Sequence, residues 1–327
     1  MKASKSYSNK RRIEVTVEQK PKRAKSKKRK VLKWIGLIVG IFIVAVAGLL
    51  AKVYFDAKNT VENLNVDIEK SDLREVTVSV EKEEPISVLL LGVDERSGDA
   101  GRSDTMIVLT VNPNTNDTKM LSIPRDTYTD IAGHGMDKIN HAYAFGGIEL
   151  SRKTVEGLLN IPIDYVVQVN MDSFQDIIDS VGSITINNEL DFSYGGDDFP
   201  LGEITLNGDQ ALNYVRMRYD DPQGDFGRQN RQKKVIQGIV QSAVSVDTAL
   251  NYKSIFNSIE KNVRMSASYS DLMTIQKNYK NSFKSIEQLY MNGGQGQKIS
   301  GVYYYVPNDS EMETIKSTLR THLELTN

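Results

Sequence analysis

Polar clusters recur in this sequence where short apolar runs end. The run Ile86 to Leu91 leads into Gly92-Val93-Asp94-Glu95-Arg96. The run Thr105 to Val111 is preceded by Gly101-Arg102-Ser103-Asp104. The run Thr118 to Ile123 ends in Pro124-Arg125-Asp126-Thr127. Open α/β sheets place ligands at strand ends, and adjacent strands would bring Asp94, Asp104, Arg102 and Arg125 to one edge. Two carboxylates with no histidine beside them point to a hard divalent cation, Mg²⁺ ahead of Zn²⁺. Arginines next to a carboxylate-held metal point to a phosphate or pyrophosphate ligand. The plainer alternative is Asp–Arg pairing around surface turns, and three such clusters at three strand ends weigh against it.

Three further groups carry charge. In Tyr214-Val215-Arg216-Met217-Arg218-Tyr219 the Arg-x-Arg spacing, if extended, turns both guanidinium groups to one face; ion pairing to Asp220, Asp221 or Asp225 is the alternative. In Gly224 to Gln232, Arg228 and Arg231 are three apart and Arg228 and Gln232 four apart, so they share a helix face near its start. An anion at that N-terminus, or a pair with Asp225, would relieve the conflict between arginine and the helix dipole. In Asp137-Lys138-Ile139-Asn140-His141, Lys138 can reach a phosphate and Asn140 can bond a sugar or position a loop. A lone histidine such as His141 is more often a packing or capping group than a catalyst.

The elements that must hold these groups follow from the apolar pattern. Continuous runs at 86–91, 105–111, 118–123 and 165–169 read as buried strands. The linker Asn112 to Asp117 is a turn signal that makes the second and third an antiparallel hairpin. Ile184 to Ile186 and Gly301 to Val306 read as further strands. Helices are expected over 147–159, 172–181, 207–215 and 227–246, with two more opening at Asp271 and Ser310. Strands and helices interleaved in this way imply an α/β fold, a mixed central sheet with helices on both faces, in one domain over 85–327. No GxGxxG or GxxxxGK[ST] run is present, which argues against the usual nucleotide-binding loops.

The chain has 327 residues and no cysteine, which excludes thiol nucleophiles and disulfides, and its three histidines argue against a multi-histidine metal site. Its net charge of −1 conceals a division. Residues 1–33 hold ten Lys and four Arg against Glu14 and Glu18, a net of +12, which leaves −13 for residues 34–327. Between the two, Trp34 to Ala51 is 18 residues without a charge, bracketed by Lys33 and Lys52. A bilayer core takes roughly 17–25 such residues. The run is long for a cleaved signal peptide, so a transmembrane signal-anchor over 34–52 is expected. The basic flank places the tail 1–33 in the cytoplasm and the rest outside a Gram-positive type cell membrane. Residues 53–84 read as an extracellular connector. The acidic body, and a tail with no DNA-reading helix that would lie at a membrane surface, argue against nucleic acid as a partner.

Taken together, LLLGVDER, GRSDTMIVLTVNP, SIPRDTY, DKINHAYAFGG and YVRMRYDDPQGDFGRQNRQ, in that order, resemble the LytR-CpsA-Psr family of cell-envelope proteins. The resemblance implies an α/β/α core with an apolar pocket for a polyprenyl chain. It implies a phosphotransferase that moves a glycopolymer (teichoic acid, capsular or rhamnose polysaccharide) from polyprenyl pyrophosphate onto a peptidoglycan hydroxyl. By matching positions, Asp94 and Asp104 would hold Mg²⁺. Arg102, Arg125, Arg216 and Arg218 would hold the pyrophosphate, with Arg228, Arg231, Gln232 and Lys138 lining the same site. Arg125 and Arg228 would form the catalytic set with Asp126 and Asp225, the two candidates for a general base. Two other readings use the same residues: a polyprenyl pyrophosphatase, and a non-enzymatic lipid-phosphate-binding regulator of the envelope or of transcription.

Overall fold

The computed structural model describes residues 52, 54–94, 101–170, 174–180, 182–217, 220–243 and 263–325. The expected membrane span and basic tail lie outside the described residues. Among those described, no helix is long and apolar enough to cross a membrane.

Residues Val53–Asn327 form one compact unit. Its frame is a six-stranded sheet in the order β11-β6-β1-β2-β3-β12. The strands are β1 (Ile86–Asp94), β2 (Arg102–Asn112), β3 (Asp117–Ile123), β6 (Tyr165–Asn170), β11 (Val263–Met265) and β12 (Ile286–Leu289). β1, β2 and β3 run antiparallel, whereas β6 is parallel to β1 and β12 parallel to β3. The sheet is therefore mixed, as the interleaved pattern implies.

Alternation along the strands sends side chains to two cores. Leu89, Leu91, Met106, Val108 and Leu121 pack under α2 (His141–Leu159) and α7 (Asp309–His322) through Val155, Leu159, Ile315 and Leu319. Ile86, Ile107, Leu109, Val111 and Met120 face the other way, against Tyr279 and the flank of α6 (Tyr269–Asn278). Both faces are covered, which explains why β2 reads as an unbroken apolar run.

A third cluster joins α3 (Phe174–Ser180), α4 (Gly208–Arg216) and α5 (Asp225–Ala243) to β7 (Ile184–Asn188) and β10 (Gly202–Leu206), through Ile178, Ile184, Leu206, Leu212, Tyr214 and Val235. Asn207 starts α4 with a full capping box, its side chain accepting from the Gln210 N–H.

The segment read as a connector packs on the domain. Residues 54–64 are helical, with Ala57, Thr60, Val61 and Leu64 buried at helical spacing. Arg74 then makes a two-pronged bond to Asp164, at 2.6 and 2.9 Å.

Candidate active site

The antiparallel β1–β2–β3 ladder brings the end of β1, the start of β2 and the end of β3 to one edge. Asp94 lies directly across from Arg102. The register slips between Gly92 and Val93, which pair with Thr105 and Ser103, so Asp104 is an extra residue with no partner across the strand. Such a bulge re-aims a side chain. Here the Asp104 carboxylate accepts from Arg125 Nη1 at 3.0 Å.

Arg125 and Asp126 occupy the tip of a tight turn. Thr127 closes it with its N–H to the Pro124 carbonyl at 3.0 Å and its hydroxyl to the same oxygen at 2.6 Å. A short hairpin, β4 (Tyr128–Ile131) and β5 (Gly135–Lys138), follows and folds back on the turn. Ile139 N–H donates to Thr127 O at 2.9 Å, and Asn140 N–H donates to Arg125 O at 3.3 Å. Lys138 Nζ donates to Asp126 Oδ1 at 2.6 Å, and Arg125 Nε lies 3.8 Å from Asp126 Oδ2. Asp104, Arg125, Asp126 and Lys138 thus form one half-exposed chain of alternating charge.

A strand unmarked in this role by the sequence completes the rim. The Tyr305 N–H of β14 (Val302–Val306) donates to Asp126 O at 2.9 Å. This sets Tyr304 beside Lys138, whose ammonium lies 5.8 Å from the ring centroid, and its hydroxyl donates to Asp137 Oδ1 at 3.3 Å. His141 Nδ1 lies 2.8 Å from Asp137 Oδ2. Burial opposes the charge on Asp137, but the bonds from His141, the Lys138 N–H and Tyr304 outweigh it and hold this carboxyl below its usual range.

The second group of arginines differs from the expectation. Arg216 is the last residue of α4 and is exposed, so it lies on a helix and not in the extended segment expected. Arg218, and the side chains of Asp94 and Asp225, lie outside the described residues. Arg228 is in the first turn of α5 and Gln232 one turn on, both half-buried.

Arg231 does not face the site's open side. It is buried, and Nε donates to Tyr214 O at 2.9 Å. Its two other nitrogens bond the Met217 carbonyl and the Asp221 carboxylate. Phe192 covers the guanidinium at 5.3 Å. The physical reason is helical position: Arg231 falls on the α5 face packed against α4, where the freed carbonyls at the end of α4 need donors. Arg231 therefore fixes the end of α4 through the Tyr214 and Met217 carbonyls. A cleft of about 160 Å³ beside it, with Asn188, Tyr214, Asp221 and Lys234 in its walls, is too small for a polyprenyl chain.

An α/β domain whose strand ends bring arginine and carboxylate side chains to a tight turn has the donors to receive a phosphate group. The LytR_cpsA_psr family model matches residues 51–321, and the chain belongs to that family. It is 46% identical over 301 residues, 92% of this chain and 98% of the relative, to the polyisoprenyl-teichoic acid–peptidoglycan teichoic acid transferase TagU of Bacillus subtilis (strain 168). The crystal structure of B. subtilis TagU aligns with a TM-score of 0.63 at 46% identity, covering 75% of this chain and 99% of that one. The family protein YwtF (TagT) with bound octaprenyl pyrophosphate lipid aligns at 0.64 and 32% identity, covering 79% and 97%.

Proposed function

We propose that this protein transfers a glycopolymer of the teichoic acid type from a polyprenyl-pyrophosphate carrier onto peptidoglycan. The observation that carries the reading is the Asp104–Arg125 pair at the bulged strand end, in a chain 46% identical to a transferase of that name. Phosphoryl transfer asks for positioning and charge neutralisation more than for a covalent protein group. Arg102 and Arg125 at the sheet edge, with Arg216, Arg218, Arg228 and Gln232 from the α4–α5 segment, are the groups that would hold the pyrophosphate. Lys138 adds a cation on the far side of Asp126.

Asp94 and Asp104 are the residues that would hold Mg²⁺. Two carboxylates suit magnesium, which takes one or two of them and leaves its other positions to phosphate oxygens and water. A bound ion would neutralise charge on the pyrophosphate oxygens. The uncharged run 34–51 behind a +12 tail supports a membrane anchor with the domain outside, and such a tether raises the effective concentration of a lipid-borne donor.

The test is a reconstitution of the purified full chain with Mg²⁺, a polyprenyl-pyrophosphate-linked teichoic acid precursor and peptidoglycan. Covalently linked polymer with release of polyprenyl phosphate is expected. Phosphate release that needs no acceptor would identify a pyrophosphatase instead, and donor binding without turnover a regulator.

A further inference from the structure

Beside the arginine cluster lies a second group to which the transfer reaction gives no role so far. His141 is the first residue of α2. Its Nδ1 is 2.8 Å from Asp137 Oδ2. An ionised carboxylate only accepts, so Nδ1 carries a proton, and in the neutral imidazole the lone pair is on Nε2. Asp137 is itself fixed by the Lys138 N–H at 2.8 Å and the Tyr304 hydroxyl at 3.3 Å. An imidazole held by a buttressed carboxylate is the arrangement of a general base.

Its place fits that work. The residue before it, Asn140, donates its N–H to the Arg125 carbonyl. The Asn140 side-chain oxygen is buried and has no hydrogen-bond partner among the described residues. An acceptor in that state suits a hydroxyl donor from a ligand. On the other side Phe145 is 46% exposed and stacks on His134 at 4.4 Å, with interplanar angle 13°. His141 meets the same ring edge-on at 6.0 Å. The helix is kinked just after it: Gly147 has φ 62° and ψ −148°, a conformation open to glycine, and a side chain at Gly146 would collide with Leu150. The kink sets the first turn, with His141 and Phe145 four apart on one face, off from the rest of α2.

Asp126, the carboxylate beside Arg125, is already occupied: Lys138 Nζ donates to it at 2.6 Å and Arg125 Nε lies 3.8 Å away.

We propose that His141, oriented by Asp137, is the general base that takes the proton from the acceptor sugar hydroxyl, and that the sugar ring lies over Phe145. The inference rests on the transferase reading. The hydroxyl oxygen forms a bond to the glycan-bearing phosphorus. The bond from that phosphorus to the bridging oxygen breaks, and its electron pair leaves with polyprenyl phosphate. The hydroxyl proton passes to His141 Nε2 and then to water or to the departing phosphate. Asp137 is a positioning residue that keeps Nε2 toward the acceptor.

The experiment measures transfer by the full chain from a polyprenyl-pyrophosphate-linked teichoic acid precursor to uncrosslinked peptidoglycan, from about pH 5 to about pH 9. His141→Gln is expected to lower kcat by about 100-fold or more, with donor affinity within about twofold of wild type and the acid limb of the pH profile gone. Asp137→Asn is expected to lower kcat less and to shift that limb. In His141→Ala, added imidazole is expected to restore part of the rate, which a structural role would not allow. An unchanged acid limb in His141→Gln, or loss of donor binding in step with loss of rate, overturns the assignment. If wild-type protein forms no linked product, the transferase reading itself has failed; if it does and His141→Gln matches it, only the base has.

Discussion

Arg125 Nη1 donates to Asp104 Oδ1 at 3.0 Å from a turn at the end of β3 to a bulge at the start of β2. The two side chains are about one-third exposed, so the contact is worth little to stability. Its value lies in holding a cation and an anion at fixed places on the sheet edge before a pyrophosphate arrives.

Removal of either partner should therefore cost activity far more than stability. Arg125→Ala and Asp104→Ala are each expected to lower the transfer rate about 100-fold or more, the usual cost of losing a preorganised charge at a reacting centre. Their melting temperatures should stay within a few degrees of wild type. The double variant should lose less than the two losses multiplied, because the residues act as a unit. Rates near wild type in both single variants would remove these residues from the site.

The Arg231–Asp221 pair makes the opposite prediction. Both side chains are buried, at 5% and 4% exposure. Removing one member strands the other, at a cost of about 3–5 kcal/mol. Arg231→Met and Asp221→Ala should both lower the urea midpoint strongly. Gly227→Ala should do so as well, because a Cβ there would overlap the Asp221 carboxylate. Chemical denaturation of the three variants checks this, and a midpoint unchanged in Asp221→Ala would refute the stitching role given to Arg231.

Much of this was legible in the sequence. Ile86 to Leu91, Thr105 to Val111 and Thr118 to Ile123 announced buried strands because both faces of the sheet are covered, and their ends carried the charged clusters. The fate of each arginine was not legible. Arg216 and Arg231 look alike in sequence, yet one ends a helix in solvent and the other is buried on backbone carbonyls. That difference depends on how α5 crosses α4, which no local pattern encodes. Tyr304 was hidden for a similar reason: its contact with Asp137 spans 167 residues. The one readable trace of the His141–Asp137 pair was its spacing of four, across a strand end and a helix start.

His322 links stability to pH. It is buried in α7, with Nδ1 2.7 Å from Thr110 Oγ1 and Nε2 3.1 Å from Asp117 Oδ1. Burial pushes its pKa down from the ordinary histidine value, and the bond to Asp117 only partly opposes this. The folded chain therefore takes up this proton less readily than the unfolded chain. The sign follows: stability is full above the unfolded pKa of about 6.5 and falls as pH drops below it. Urea midpoints taken at about pH 7.5 and about pH 5.5 should differ more in wild type than in His322→Gln. Equal differences would refute the assignment.

Lys233 predicts a change in the alkaline range. It is 2% exposed on α5, 4.3 Å from the Tyr290 ring centroid and 3.5 Å from the Leu289 carbonyl. Burial lowers its pKa to about 8. Below that pH the folded protein carries a buried ammonium that the unfolded chain would hydrate. Between about 8 and the unfolded value near 10.4 the unfolded chain binds the extra proton, so this group's contribution becomes more favourable as pH rises, by about 3 kcal/mol at most. The buried tyrosines Tyr165 and Tyr279, whose pKa values burial raises, act in the opposite sense at still higher pH. The clean readout is thus the difference between wild type and Lys233→Met, which keeps the length of the side chain and removes the charge. The variant should be the more stable at about pH 7, and the gap should narrow as pH passes about 9. A gap that stays constant across that range would show that Lys233 is already neutral at pH 7, or that its charge is compensated where it sits.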